Sequence, residues 1–380
     1  MGRKRVVGGL ISSAALLASC GSAGSAPDFA VATGADGLTL VGADWTQQVP
    51  GFGPAENSLF SPNNSDAEIA APLDSARAVV VYADRVVVVA RGSEPVVRDC
   101  AECSGVAVTD TDIVTARTNH APDNGFDLVL YDHELAAERV VPAQRLQERA
   151  STGLADNTES PVTLAADEDK ITVGYLARDG GNRRGPSVIA QYDYAGELLG
   201  STKVDGLLGR SAVSPDGRLL AVGVGGSGGY CVNPYEPVVV DLSTLGVREV
   251  EPAVPGTSPD DPDPWFELTD LVWAGEALLA TGELHVVRNP GEVCDPEPEV
   301  WQRTIDPETG APVDSGGHQA ISTRQVGPDC DDVVQTVNPS NPEGSSPDGD
   351  IVLRRGSGHV LGDYSRISLG TPASAACAGS

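Results

Sequence analysis

Lysine is almost missing from this chain: it occurs only at Lys4, Lys170 and Lys203, and arginine supplies the remaining fixed positive charge. Lys and Arg together number 25 against 54 Asp and Glu, a formal net charge of −29 at pH 7 over 380 residues. That imbalance excludes a basic face for nucleic acid or anionic lipid. It favours solubility and the attraction of cations. Aromatic residues make up 4% of the chain, which argues against an extended stacking platform for carbohydrate. No later segment offers about 18 consecutive apolar residues, so no internal membrane-spanning helix is expected. Long helical periods are nearly absent too, with one short helix predicted at residues 143–150.

The amino terminus reads differently. Arg3-Lys4-Arg5 precedes a short apolar run, residues 6–17, that ends in Leu17-Ala18-Ser19-Cys20. The run is too short to span a bilayer stably, and small residues stand before the cysteine. These residues resemble a bacterial lipobox; the plainer reading is an ordinary secretory peptide. The resemblance implies cleavage before Cys20, acylation of its thiol and new amine, and anchoring at the extracytoplasmic face of the cell membrane. Lipid would be the only membrane attachment. Gly21-Ser22-Ala23-Gly24-Ser25 then forms a flexible tether. The expected organisation is a signal peptide over 1–19, a lipidated cysteine and tether over 20–28, and one repetitive domain over 29–377.

Beyond Cys20 there are Cys100, Cys103, Cys231, Cys294, Cys330 and Cys377. An even number in an oxidising compartment reads as up to three disulfides. Proximity in sequence favours Cys100–Cys103, Cys231–Cys294 and Cys330–Cys377. Cys100-Ala101-Glu102-Cys103 also has the spacing of a redox dithiol, but flanking strands rather than a helix start favour a loop disulfide.

What is abundant is short Val, Leu, Ile and Thr runs set between Asp-, Gly- and Pro-rich turns. One turn pattern places Asp before an apolar strand, as at Asp36-Gly37, Asp84-Arg85, Asp112, Asp169-Lys170, Asp216-Gly217-Arg218 and Asp348-Gly349-Asp350, with Ala274-Gly275-Glu276 a degenerate copy. A second ends a strand in Asp, at Asp132, Asp193, Asp241 and Asp306, and Gly196, Gly246 and Gly310 follow the last three. Asp and Gly both tolerate the positive φ of tight turns. Paired hairpins at this spacing make four antiparallel strands per unit, which is a propeller blade. Candidate blades fall near 29–60, 74–104, 105–145, 160–205, 208–253, 266–316 and 318–370. The expected fold is therefore an all-β propeller of six or seven four-stranded antiparallel blades, with a β-sandwich pair as the architectural rival. Ser214-Pro215-Asp216-Gly217-Arg218-Leu219-Leu220-Ala221-Val222 resembles the repeat core of WD-like propellers of the bacterial Tol type, and Ser346-Pro347-Asp348-Gly349 opens a looser copy. That resemblance implies a propeller with a binding role and transfers no catalytic residue.

Motifs that invite an enzymatic reading fail on context. Gly225-Gly226-Ser227-Gly228-Gly229 satisfies the nucleophile-elbow spacing without the helix that elbow needs. Gly223-Val224-Gly225-Gly226-Ser227-Gly228 fits a dinucleotide fingerprint, again without a helix N-terminus to receive phosphate. His133-Glu134 lacks a second zinc-spaced histidine, and His120, His285, His318 and His359 are scattered. Asp260-Asp261-Pro262-Asp263 and Asp329 to Asp332 do not match a calcium loop. No catalytic residue, metal ligand or cofactor is assigned. Trp273 reads as core; Trp265, in a Pro-rich loop, is the candidate ligand contact. The expected function is a noncatalytic binding or scaffold module at the cell envelope, with an unidentified envelope protein or small ligand as partner. The alternatives are an extracytoplasmic hydrolase or lyase with its site at the channel mouth, and a redox protein using Cys100 and Cys103. If Cys20 carries the anchor, Cys20→Ser shifts the protein from the membrane to the soluble fraction on ultracentrifugation; retention in the membrane would refute acylation there.

Overall fold

Arg77-Ala78-Val79-Val80-Val81-Tyr82 and Arg85-Val86-Val87-Val88-Val89-Ala90 are apolar at almost every position. Such runs suit strands covered on both faces rather than one. The computed structural model describes residues 28–368 apart from 35–36, 53–69, 83, 120–124, 144–157, 178–185, 226–234, 251–264, 275, 286–298, 318–321, 327–330, 338–350 and 356–358. The described residues contain strands and turns and no helix, and the predicted helix at 143–150 falls almost wholly outside them.

The strands form seven successive antiparallel blades. Blade 1 holds β1 (Phe29–Gly34), β2 (Gly37–Gly42) and β3 (Thr46–Gln48), and blade 2 holds β4 (Ala70–Pro72), β5 (Arg77–Tyr82), β6 (Arg85–Ala90) and β7 (Val96–Asp99). Blade 3 is β8 (Cys103–Val108), β9 (Ile113–Asn119), β10 (Gly125–Tyr131) and β11 (Glu138–Pro142). Blade 4 is β12 (Thr158–Ala166), β13 (Ile171–Ala177), β14 (Ser187–Tyr192) and β15 (Leu198–Val204). Blade 5 is β16 (Leu207–Val213), β17 (Leu219–Gly225), β18 (Tyr235–Asp241) and β19 (Val247–Glu249). Blade 6 is β20 (Trp265–Ala274), β21 (Ala277–His285), β22 (Glu299–Ile305) and β23 (Pro312–Gly317). Blade 7 is β24 (Ser322–Val326), β25 (Asp331–Val337), β26 (Ile351–Arg355) and β27 (His359–Ser368).

Closure of the ring rests on β27. Its first half pairs antiparallel with β26, from His359 opposite Arg355 to Asp363 opposite Val352. Its second half pairs with β1, from Tyr364 opposite Gly34 to Ser368 opposite Val31. One strand thus finishes blade 7 and supplies the first strand of blade 1, so both β26 and β1 are paired across the closing seam. The fold is a β-propeller, and the sandwich alternative is set aside by this order of seven linked meanders.

Alternation along each strand sends successive side chains to opposite neighbours. In blade 2, Ala78, Val80 and Tyr82 join the cluster with Phe29, Val31, Leu38 and Leu40 of blade 1. Val79 and Val81 turn the other way, to Val106, Ile113, Val129 and Tyr131 of blade 3. The same division gives clusters between blades 3 and 4, 4 and 5, 5 and 6, and 7 and 1. Between blades 6 and 7 the described residues include a buried ion pair: Arg324 on β24 grips both carboxylate oxygens of Asp270 on β20, at 2.6 and 2.9 Å. A pair so enclosed is costly to break from one side, because the other charge is then stranded.

The recurrent aspartates are turn caps. The Asp132 carboxylate accepts the Ala136 and Ala137 amides, Asp193 those of Ala195 and Glu197, Asp241 those of Ser243 and Thr244, and Asp306 that of Glu308. Each such turn also accepts a donor from the preceding blade. Arg98 donates to the Leu135 carbonyl, Arg139 to Tyr194 at 3.0 Å, Lys170 to Leu242 at 2.6 Å and Arg248 to Pro307 at 2.9 Å. The positive-φ residues of these turns are Leu135, Gly196, Leu245 and Gly310. Gly246, the glycine marked by the sequence pattern, is therefore not the left-handed position in its turn; Leu245, at φ 58°, is, and its side chain packs on the cluster between blades 4 and 5.

Two glycines separate backbone preference from crowding. Gly196 has φ 84° and a Cβ there would strike the Pro142 carbonyl oxygen, whereas Gly217 has φ 71° with nothing within 4 Å of that position. Gly196→Ala is expected to destabilise by about 2–3 kcal/mol and Gly217→Ala by about 1 kcal/mol. Urea midpoints measure both, and equal losses would contradict this account of the turn.

Candidate functional site

A short outer strand borders a recess. Among the described residues β19 pairs with β18 from Val238 to Val240, and Glu236 and Pro237 run on past that pairing. Proline suits such a stretch because it has no N–H to leave unpaired. Where β19 stops, a cleft of about 610 Å³ lies between blades 4 and 5, lined by Lys203, Val204, Asp205, Val224, Glu236, Pro237, Val238, Val247, Glu249 and Val250. That volume lies within the range of small-molecule sites, and aliphatic walls with a few charged groups are their usual composition.

The charged groups are arranged unevenly. Lys203 Nζ bonds Asp205 Oδ1 at 2.9 Å on the exposed rim. Glu236 lies deeper, and its carboxylate accepts a hydrogen bond from Arg303 Nη1 at 3.1 Å; Arg303, on β22 of blade 6, is 2% exposed. Burial pushes the Glu236 carboxyl above its ordinary range, with the Arg303 charge and hydrogen bond opposing that rise. The remaining carboxylate, Glu249, has no side-chain hydrogen bond or ion pair among the described residues and closes the cleft beside Val250.

Several residues singled out from the sequence occupy structural positions. A disulfide joins Cys100 and Cys103, with Cα atoms 5.5 Å apart, in the link between blades 2 and 3. Cys100 is buried within the cluster shared by those blades. Cys20, Cys231, Cys294, Cys330 and Cys377 lie outside the described residues. Trp265 is not in a loop: its backbone opens β20 and pairs with His285, because β21 extends far enough to hold it in the sheet. Trp273 is core, donating from Nε1 to the Ala212 carbonyl at 3.0 Å. His133 Nε2 meets the Thr109 carbonyl at 3.0 Å. Gly223 and Gly225 belong to β17, opposite Pro237 and Tyr235, so the glycine pattern starts inside a strand. Asp331 and Asp332 begin β25, while residues 260–263 are outside the described set. Among the described residues no group of three or more His, Cys, Asp or Glu side chains is placed to hold a metal, and no helix is long and apolar enough to cross a membrane.

The cleft itself was not foreseen. Its residues are scattered from Lys203 to Val250 and look like ordinary strand ends. The available signal was Pro237 inside the apolar run Tyr235–Asp241, which marks a strand lacking a partner on one side.

No family model matches the chain, and no curated protein does. Among solved structures, the tricorn protease matches with a TM-score of 0.45 and 11% identity over 92% of this chain, which spans 35% of that protein. AztD from Citrobacter koseri matches at 0.42 and 13%, covering 90% of this chain and 96% of that one. The propeller domain of the Trilobed protease from Pyrococcus furiosus, described as having an open velcro topology, matches at 0.40 and 10% over 75% of this chain and 78% of that domain. No activity is carried over from likenesses this distant.

The Glu236–Arg303 contact has a titration consequence. A carboxyl raised in the folded state binds its proton more tightly there, so its contribution to stability is full below the unfolded carboxylate range and fades as pH rises through the folded value. Arg303→Met removes the opposing cation, and the Glu236 carboxyl then titrates higher still, read by ¹³C carboxyl NMR. Urea midpoints of this variant should fall more steeply than those of the parent between pH 4 and 7; parallel profiles would contradict the contact.

Proposed function

We propose that this chain is a noncatalytic binding module, held at the extracytoplasmic face of the cell membrane by an acylated Cys20, and that the cleft between blades 4 and 5 receives its ligand. A single observation carries the reading: a recess of about 610 Å³ with aliphatic walls, a half-buried carboxylate and an open rim, lined by residues of β15, β17, β18 and β19. Sites on such elements are held in geometry by their packing, which favours recognition of a defined shape. The partner is a small ligand, or an exposed group of an envelope protein, that fits the recess.

Methyl NMR of the full chain in detergent micelles tests this with a library of small fragments. Fragments are expected to shift the methyl signals of Val204, Val224, Val238, Val247 and Val250 and to be recovered unchanged. Val247→Trp should abolish those shifts while the remaining methyl spectrum keeps its dispersion. Perturbations confined to other sites, or none, would overturn the assignment of the cleft; chemical conversion of a bound fragment would overturn the noncatalytic reading.

A further inference from the structure

We infer that the cleft takes an aliphatic ligand carrying an ammonium group, a deepening that rests on the binding reading above. The walls are Val204, Val224, Pro237, Val238, Val247 and Val250. Among the described residues the walls are aliphatic, so they reward an alkyl chain by area burial.

Charge settles which end group fits. Of the ionic groups lining the cleft, Lys203 and Asp205 satisfy each other at 2.9 Å, and Glu236 is held by Arg303 at 3.1 Å. That leaves Glu249 as the carboxylate of this cleft with no side-chain partner among the described residues. Glu249 is exposed at the rim, so a cation placed between the valine wall and Glu249 gains a solvent-screened ion pair, and an anion there meets a like charge. The chain's charge of −29 adds long-range attraction for the same sign of ligand. Lys203 shows the chemistry in miniature: an alkyl stem ending in an ammonium already lies along this rim, bonded to a carboxylate.

The ammonium can come from a free alkylamine or from a lysine side chain on another polypeptide, and both have the same recognising group. Isothermal titration of the full chain in micelles compares hexylammonium, hexanol and hexanoate, together with the blocked tripeptide acetyl-Ala-Lys-Ala-amide. Hexylammonium is expected to bind at least about tenfold more tightly than hexanoate and to weaken with added salt. Glu249→Gln should lower its affinity about tenfold while leaving hexanol unchanged, and the remote Glu276→Gln should alter neither. Tighter binding of hexylammonium than of the tripeptide assigns a free amine, and the reverse assigns a lysyl side chain; either order supports the inference. Equal affinity for hexanoate, or no loss in Glu249→Gln, overturns it. If fragments occupy the cleft by NMR yet no ammonium probe does, the charge inference fails alone; if nothing occupies the cleft, the binding reading fails with it.

Discussion

Blades 1 to 5 each have two apolar faces, and the surface that covers each of them is the neighbouring blade. Val79 and Val80 are adjacent in sequence and belong to different clusters, one shared with blade 3 and the other with blade 1. A blade removed from the ring would expose both, which is why the arrangement has to close. The double role of β27 follows from that requirement. A separate inner strand for blade 1 would have to be recruited from elsewhere, whereas one strand of ten residues reaches across the last seam and satisfies both blades.

The same constraint explains where the few cations sit. Arg91 lies over the Trp45 ring at 4.6 Å between blades 1 and 2. Arg98, Arg139, Lys170 and Arg248 each donate to a turn carbonyl of the next blade, and Arg324 holds Asp270 between blades 6 and 7. A turn carbonyl at a strand end has no ladder partner, so a long cationic side chain from across the seam satisfies it without a further strand. Carboxylates meanwhile cap the turns from within. The Ser243 hydroxyl and nearby amides hold Asp241 below the usual carboxylate range, and the Glu308 amide does the same for Asp306. Basic residues join blades and acidic ones finish hairpins, which leaves a strongly negative surface as the by-product.

Much of this was legible because hairpin turns leave local marks. Asp132, Asp193, Asp241 and Asp306 occupy the same place in four blades, and each meets its partners within a few residues. Blade spacing could therefore be read from those aspartates and from the valine runs. Contacts between distant positions left no such mark. Arg324 and Asp270 lie 54 residues apart, and nothing near either announces the other. Leu135 and Leu245 hold left-handed turns through side chains anchored in inter-blade clusters, so tertiary packing overrides the preference for glycine. The cleft is invisible for a further reason: it lies beside the described end of β19, and which residues of β18 a strand covers is known only once register is fixed.

Why the recess lies between blades 4 and 5 can be argued from the strands alone. Blade 4 ends in a seven-residue outer strand, β15, and blade 6 in a six-residue one, β23, while β19 has three residues. The ends of β15 and β18 therefore project past the outer cover of blade 5, and the space between them is walled by side chains whose backbones are already fixed. Filling it with apolar side chains would have stranded the Glu236 carboxylate against Arg303 in a dry interior, where a buried pair gains little over hydrophobic packing. Leaving it open keeps Glu236 partly hydrated, its side chain 34% exposed, while Arg303, at 2%, holds it from the inside. The valine walls are then held by the propeller's own seam, so the shape of the recess is set before any ligand arrives.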